Sequence, residues 1–312
     1  MKRMLLLLCL CLCFPLLTGC GERKEAESLS VVAAIFPEYD WARELIGDIE
    51  GVRLQLLVDD GVDPHSFQPS VADLVAVSEC DLLIYGGGES DKWLEDALRQ
   101  PANKDIQAIS LLSLLGEQAH NEEIVEGMQS DEAEAEADEH VWLSLKNASL
   151  FCIAIADKLC QLDEAHEAQY RANLAAYLEK LDALDEAYRE TVQKAKKDTI
   201  LVCDRFPYRY LTESYGLRYY AAFPGCSAET GASFETVVFL AEKAKELELN
   251  ALLITETSDG KLAKTVAENA GKPNMEVLTL NSMQSVSAEK AGELHYLSVM
   301  EQNRLVLEQA LG

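Results

Sequence analysis

The sequence predicts an α/β protein of two lobes, each a mainly parallel sheet flanked by helices, joined by one long helix. Three observations predict it. Short β-branched apolar runs alternate with helical patterns in the first half of the chain, and the same rhythm resumes after residue 198; both are the mark of βα units. Between them, residues 147–198 contain no glycine or proline. The second part of that stretch places Tyr170, Leu174, Tyr177, Leu181, Leu184 and Tyr188 at three- and four-residue steps, the spacing of one apolar helix face.

Taken in order, Lys2 and Arg3 precede an apolar run, residues 4–17, of signal-peptide length and too short for a comfortable bilayer span. It ends in Leu17-Thr18-Gly19-Cys20, which resembles a bacterial lipobox. That resemblance implies a signal peptide over 1–19, lipid on Cys20 and a location on the outer face of the cell membrane. More than one acyl chain on a single residue gives stable anchoring. Residues 20–28 then form a polar tether. No other run is apolar enough to span a bilayer.

The amino-terminal lobe is expected over 29–160. Residues 29–36 read as a strand, 39–46 as a helix and 54–58 as a second strand. Ser70 and Asp73 have capping-box spacing at a helix start, with Val71, Leu74 and Val75 as its apolar face. Residues 81–85 form a strand that stops at Gly86-Gly87-Gly88. Residues 117–139 are crowded with acids and read as a mobile surface loop, short of apolar surface to bury. Order returns at His140-Val141-Trp142-Leu143. A linking segment over 161–197 follows; one helix over about 164–196 would span roughly 45–50 Å. The other reading is two helices with an unmarked break. The carboxy-terminal lobe, 198–312, carries strands over 199–203, 218–223, 251–255 and 275–280. Helices are expected from Ser233 toward Leu247, over 261–270 and over 294–311.

Composition narrows the function. With 54 acidic against 27 basic residues the net charge is −27, and cleavage of the leader would remove Lys2 and Arg3 and no acid. Nucleic-acid binding is excluded, because such a surface repels phosphate. It suits a soluble monomer and enriches cations nearby. Of nine cysteines, five lie beyond Cys20. They include no CxxC pair, so no disulfide framework is indicated. Cys80, Cys152 and Cys160 read as buried core thiols. Cys203 and Cys226 fall where a cleft is expected. HExxH, GxSxG and P-loop motifs are absent from the sequence, which points away from an enzyme.

Two of the five histidines stand out. His65 sits in Asp63-Pro64-His65-Ser66-Phe67-Gln68-Pro69, a proline-stiffened loop at the carboxyl end of a strand, where ligands bind in open α/β sheets. His140 lies at the far edge of the acidic stretch. Brought together, they make an imidazole pair suited to a transition metal, binding less well as falling pH protonates them.

The His65 loop, the residues 81–85 strand, Asp138-Glu139-His140-Val141-Trp142-Leu143-Ser144-Leu145-Lys146-Asn147-Ala148 and Tyr215-Gly216-Leu217 together resemble the solute-binding proteins of zinc and manganese ABC importers. The likeness runs from about residue 29 to 311. It implies a metal held between two lobes, with two ligands from each, and delivery to an ABC permease. His65 and His140 match the family's first two ligands. The third, usually His or Glu, falls at Arg205, which has no lone pair to give. Asp204, one residue earlier, is the expected substitute. The fourth, usually Asp, falls at Asn281. Glu256, which can instead pair with Arg205, and Cys226 are further candidates. The acidic insert with His120 leans toward zinc, with manganese as the alternative cargo. A zinc-dependent hydrolase, or a degenerate family member with altered ligand, are the competing readings. Some relatives serve in adhesion.

Overall fold

A computed structural model describes residues 29–130, 136–227 and 231–312. The signal peptide, the tether and Cys20 lie outside the described residues, as do residues 131–135 of the acidic stretch. Among the described residues no helix is long and apolar enough to cross a membrane.

Two four-stranded sheets carry the fold. The first holds β1 (Leu29–Ala33), β2 (Val52–Leu56), β3 (Leu82–Tyr85) and β4 (Gln107–Ser110), in the order β2-β1-β3-β4. The second holds β5 (Thr199–Phe206), β6 (Arg218–Pro224), β7 (Ala251–Ile254) and β8 (Glu276–Thr279), in the order β6-β5-β7-β8. Every pairing in both sheets is parallel. β3 and the start of β5 are buried without alternation, as parallel strands covered on both faces are.

Local chemistry sets the element ends. β1 stops at Ala33, short of residue 36, because the next helix, Phe36–Ile46, starts early. Pro37 fits its first turn, where no intrahelical N–H is needed. The Glu38 carboxylate accepts the Ala34 and Ile35 amides at 3.0 and 3.1 Å. Ser70 and Asp73 form the expected capping box on the helix Val71–Glu79. Its apolar face, however, points outward: Val71, Leu74 and Val75 are 78, 40 and 47 % exposed, and of this helix only Val77 is buried. The helix is therefore seated by a different side from the one its valines and leucine suggest.

The glycine-free stretch holds two helices, Leu145–Leu162 and the 28-residue Glu167–Lys194, about 42 Å long. The break falls at Asp163, whose carboxylate accepts from Tyr170 Oη at 2.9 Å and lies 2.7 Å from His166 Nδ1. The first helix ends as the Asp163 backbone turns to an extended φ of −139°, without glycine or proline, and the carboxylate ties Asp163 to the start of the next helix. The long helix buries Tyr170, Leu174, Tyr177, Leu181, Leu184 and Tyr188, the face its spacing predicts. The carboxy-terminal helix Tyr296–Leu311 packs beside it, with Tyr188 Oη donating to Met300 O at 2.5 Å.

One hydrophobic core runs through both lobes, from Val31 and Trp41 through Tyr177 and Tyr188 to Val202 and Leu280. Trp142 Nε1 donates to Ser282 O at 2.8 Å, and Tyr296 Oη donates to Trp142 O at 2.6 Å, so polar contacts also cross between the halves. Cys80, Cys152, Cys160 and Cys203 are buried free thiols. Short elements without strong periodicity complete the fold: β4, a helix Lys92–Leu98 and a helix Arg209–Tyr215.

The described parts of the acidic stretch are laid against the body. Asn121 and Ala137 bridge as antiparallel strands do, and Gln129 N donates to Ala222 O at 2.9 Å. Glu122, Asp138 and Glu139 are buried. Glu122 and Glu139 are held by hydrogen bonds to neighbouring loops, and Ala119 and Met128 pack against the core.

Candidate metal centre

His65 stands on a single helical turn, Pro64–Ser66, just beyond β2. Asp63 caps that turn, its carboxylate accepting His65 N at 3.0 Å. The imidazole Nδ1 lies 2.6 Å from Ser90 Oγ, and Ser90 N donates to Glu139 Oε1 at 3.0 Å. His140 is fully buried against Trp142, ring centroids 5.4 Å apart. Asp138 Oδ1 accepts both the His140 backbone amide at 2.9 Å and its Nδ1 at 2.8 Å. With Nδ1 thereby protonated, the Nε2 lone pair is the free one.

Both Nε2 atoms meet the same group. The Gln284 amide nitrogen lies 3.2 Å from His65 Nε2 and 2.9 Å from His140 Nε2. One NH2 has two hydrogens, one for each lone pair. Gln284 therefore bridges the imidazoles and aims both at one point. It is placed there by a tight turn after β8. Met283 adopts φ +63°, a left-handed conformation costly for a side chain of its size, and the Asn281 carboxamide oxygen accepts Met283 N at 2.8 Å.

Cys226 closes the third side. It follows β6 on the turn Pro224-Gly225, and its amide donates to Glu122 Oε1 at 2.7 Å. The donor atoms of His65, His140 and Cys226 all lie within 4.8 Å of one another. Gly225 makes this approach workable. A Cβ there would sit 2.8 Å from His140 Cε1 and 3.0 Å from Glu122 Oε1, closer than side chains tolerate.

Electrostatics differ between the two imidazoles. Burial pulls the His65 pKa down, reinforced by the charge on His140. Burial acts the same way on His140, but the hydrogen bond and charge of Asp138, with Glu122 and Glu139 nearby, overcome it and the net shift is upward. Burial raises the Cys226 thiol, as do the surrounding carboxylates of Glu122, Glu139 and Asp138. An ion that displaces protons at this site replaces unfavourable thiolate burial with a metal–sulfur bond.

The remaining sequence candidates sit as follows. Asp204 lies on β5 beside a bulge: Val202 pairs with Ala221 but Arg205 with Phe223, so β5 has one extra residue. The Asp204 carboxylate accepts from Thr255 Oγ1 at 2.9 Å, outside the three-donor cluster. The amide oxygen of Asn281 is taken by the Met283 turn, which leaves the site to Gln284, three residues on. Glu256 accepts from Ser282 N and Oγ at 2.8 and 2.7 Å rather than from Arg205. Arg205 instead pairs with Asp63, linking the end of β5 to the His65 loop. His120 Nε2 lies 3.0 Å from Glu213 Oε2, apart from the centre. Sequence reasoning missed Gln284 because glutamine is a weak ligand type. Its signal is its place, a polar side chain among Ser282, Met283 and Ser285 just after the last strand.

The model of the family described as zinc-uptake complex component A, periplasmic, matches residues 31–310. The zinc-binding lipoprotein AdcA of Streptococcus pneumoniae is 31 % identical over 322 residues, covering 99 % of this chain and 61 % of that protein. This chain thus spans about three-fifths of that relative's length. The high-affinity zinc uptake system protein ZnuA of Bacillus subtilis is 26 % identical over 309 residues, covering 96 % of this chain and 94 % of that protein. Among solved structures, the Zn(II)-bound ZnuA-like domain of S. pneumoniae AdcA superposes with a TM-score of 0.72 at 25 % identity, covering 91 % of this chain and 99 % of that one. With the family model spanning both lobes and the loops that carry His65 and His140, the chain belongs to the periplasmic zinc-uptake component A family.

Proposed function

We propose that this protein is the extracytoplasmic solute-binding component of an ABC importer, anchored through lipid on Cys20, that captures zinc between its lobes and hands it to a permease. The observation that carries the reading is the convergence of His65, His140 and Cys226 donor atoms within 4.8 Å, with the lone pairs of both imidazoles turned to one point. Two neutral imidazoles and a thiolate form a set that favours zinc over manganese, which prefers oxygen donors. Asp204, on the cleft wall, and Asn281, held in its turn, take no part in this donor set.

The lobes share one core, so capture and release call for a small shift of the loops rather than a wide hinge. Gln284 must turn aside as the ion enters, since its NH2 occupies the lone pairs the ion needs.

The test is calorimetric titration of the metal-stripped chain with zinc and with manganese, beside the His65→Ala, His140→Ala and Cys226→Ser variants. The expected result is one-to-one zinc binding, at least about 100-fold weaker in each histidine variant and about 10-fold or more weaker in Cys226→Ser, as ligand deletion removes more than the 10–100-fold an outer partner contributes. Zinc affinity indifferent to both histidines would sink the reading.

A further inference from the structure

We propose that Arg205 is a positioning residue of the metal centre: through Asp63 it holds the His65 turn in place from the opposite half of the chain. This deepens the metal-capture reading above and rests on it.

The His65 turn needs holding. It is three residues long, Pro64–Ser66, and none of them is buried. So short a turn has no apolar face to seat it, and polar contacts must fix the direction of the imidazole. Backbone contacts secure the start of the loop: Asp60 and Ser287 bridge as antiparallel strands do, and Ala288 N donates to Asp59 O at 2.5 Å. Closer to the imidazole the contact is Asp63. Its Oδ1 accepts the His65 amide at 3.0 Å, and its Oδ2 accepts from Arg205 Nη2. One carboxylate thus joins the backbone of a metal-binding histidine to a side chain of the other half. Among the described residues it is the one ion pair that residues 59–66 make.

Arg205 is a fixed partner. It sits on β5 just after the bulge, in register with Phe223 of β6. Asp204 pins that bulge: its Oδ1 accepts Arg205 N at 2.8 Å, and its Oδ2 accepts from Thr255 Oγ1, just past β7, at 2.9 Å. A line of contacts therefore runs from Thr255 through Asp204, Arg205 and Asp63 to His65. Asp204, expected as a ligand, instead fixes the strand end that carries Arg205. The Arg205 and Asp63 side chains are only 21 and 17 % exposed, so solvent and salt weaken the pair less than a surface one.

Arg205 also stands where the resemblance places a third ligand. A ligand there would tie the carboxy-terminal half to the ion. Arg205 has no lone pair to give and ties that half to the His65 turn instead. An unpaired guanidinium lining the same cavity as His65 and Cys226 would repel a dication; pairing with Asp63 offsets its charge.

The experiment is stopped-flow release of zinc from the zinc-loaded full chain in detergent into excess fluorescent chelator. It compares the parent with Arg205→Met, Asp63→Asn and the double variant. Asparagine caps about as well as aspartate, so Asp63→Asn removes the ion pair and keeps an acceptor for the His65 amide. Groups that orient a ligand contribute about 10–100-fold to metal affinity, and such losses fall mainly in the release rate. Each single variant should release zinc about tenfold faster or more. The double variant should fall within about twofold of the faster single, since both cut one linkage. Arg205→Lys, which keeps a cation for Asp63, should recover most of the loss. Melting of the metal-free proteins, run in parallel, reads a folding loss separately. Should Arg205→Met fail to fold by circular dichroism, Arg205→Gln takes its place with the same expectation. Release as slow as the parent's, or slower, in a folded Arg205→Met protein would overturn the proposal. So would single effects that multiply in the double variant, or a lysine variant as fast as Arg205→Met. Those outcomes leave the metal-capture reading standing; a parent protein that binds no zinc, or binds it without need of His65, would overturn both.

Discussion

Asp138 touches no metal, yet the geometry makes it decisive for affinity. Its Oδ1 accepts Nδ1 of His140 at 2.8 Å and the backbone amide of the same residue at 2.9 Å. Both residues are buried, so no water replaces the carboxylate readily. In Asp138→Ala, the imidazole is free to carry its proton on Nε2, the atom needed as a ligand. Partners of this kind contribute about 10–100-fold to metal affinity, or about 1.4–2.7 kcal/mol. Asp138→Ala is expected at the upper end of that range. Asp138→Asn, which keeps an acceptor oxygen but not the charge, is expected near the lower end. The assay is competition for zinc against a fluorescent chelator at neutral pH, with apo-protein melting followed in parallel. The orphaned His140 amide should cost about 1–3 kcal/mol of stability, so melting separates a folding loss from a ligand-orienting one. Zinc affinity within threefold of the parent in a folded Asp138→Ala protein would refute the tautomer argument.

Other consequences follow from single side chains. Gly225→Ala should weaken zinc binding at least about tenfold, because its methyl would meet His140 Cε1 at 2.8 Å; unchanged titration would show that the loop yields freely. Glu38 is fully buried with Oε1 unpartnered, and burial, then the nearby Asp91 charge, raise its pKa well above the usual carboxylate range. An acid whose folded pKa is raised contributes stability below its unfolded pKa and loses it as pH rises through the folded one. Glu38→Gln should therefore flatten the fall in chemical-denaturation stability as pH rises from about 4.5; a parallel fall in both proteins would disprove it. Trp41→Ala, at a site with no exposure, should cost about 3–5 kcal/mol by the same denaturation measurement. Val71→Lys, by contrast, should change stability by less than about 0.5 kcal/mol, since Val71 is 78 % exposed.

The fold was legible where periodicity and capping agree. Tyr170 to Tyr188 announce the long helix, and Ser70 and Ser233 mark helix starts that the structure keeps. The break at Asp163 was unmarked because the chain turns there in an extended conformation open to any residue, with no glycine or proline needed. The helix Val71–Glu79 misled because three apolar residues on one face normally seek a core, and here they have none. At the centre, His65 and His140 could be read because loop histidines beside strand ends carry chemistry. The carboxy-terminal side was harder. Counting along the chain reaches Arg205 and Asn281, but a bulge in β5 and a left-handed Met283 decide which neighbours face the cleft. Such backbone detail has no signature in residue type, so Gln284 emerges only in three dimensions, and only there does Cys226 stand out from the other candidates of its lobe.

The two sheets share a connectivity: in each, the second strand lies outermost beside the first, and the fourth closes the far edge. His65 comes after the second strand of one sheet and Cys226 after the second strand of the other. His140 lies downstream of the fourth strand in its half, and Gln284 just past the fourth strand in the other. The centre is thus wired twice by one plan, with matching loops meeting face to face. Each half brings a different chemistry to that meeting. The amino-terminal half contributes both imidazoles, a pair acceptable to many divalent ions, and the carboxy-terminal half contributes the thiol and the amide. Tuning which ion is kept then needs only side-chain exchange on one half, with the backbone of both left as it is.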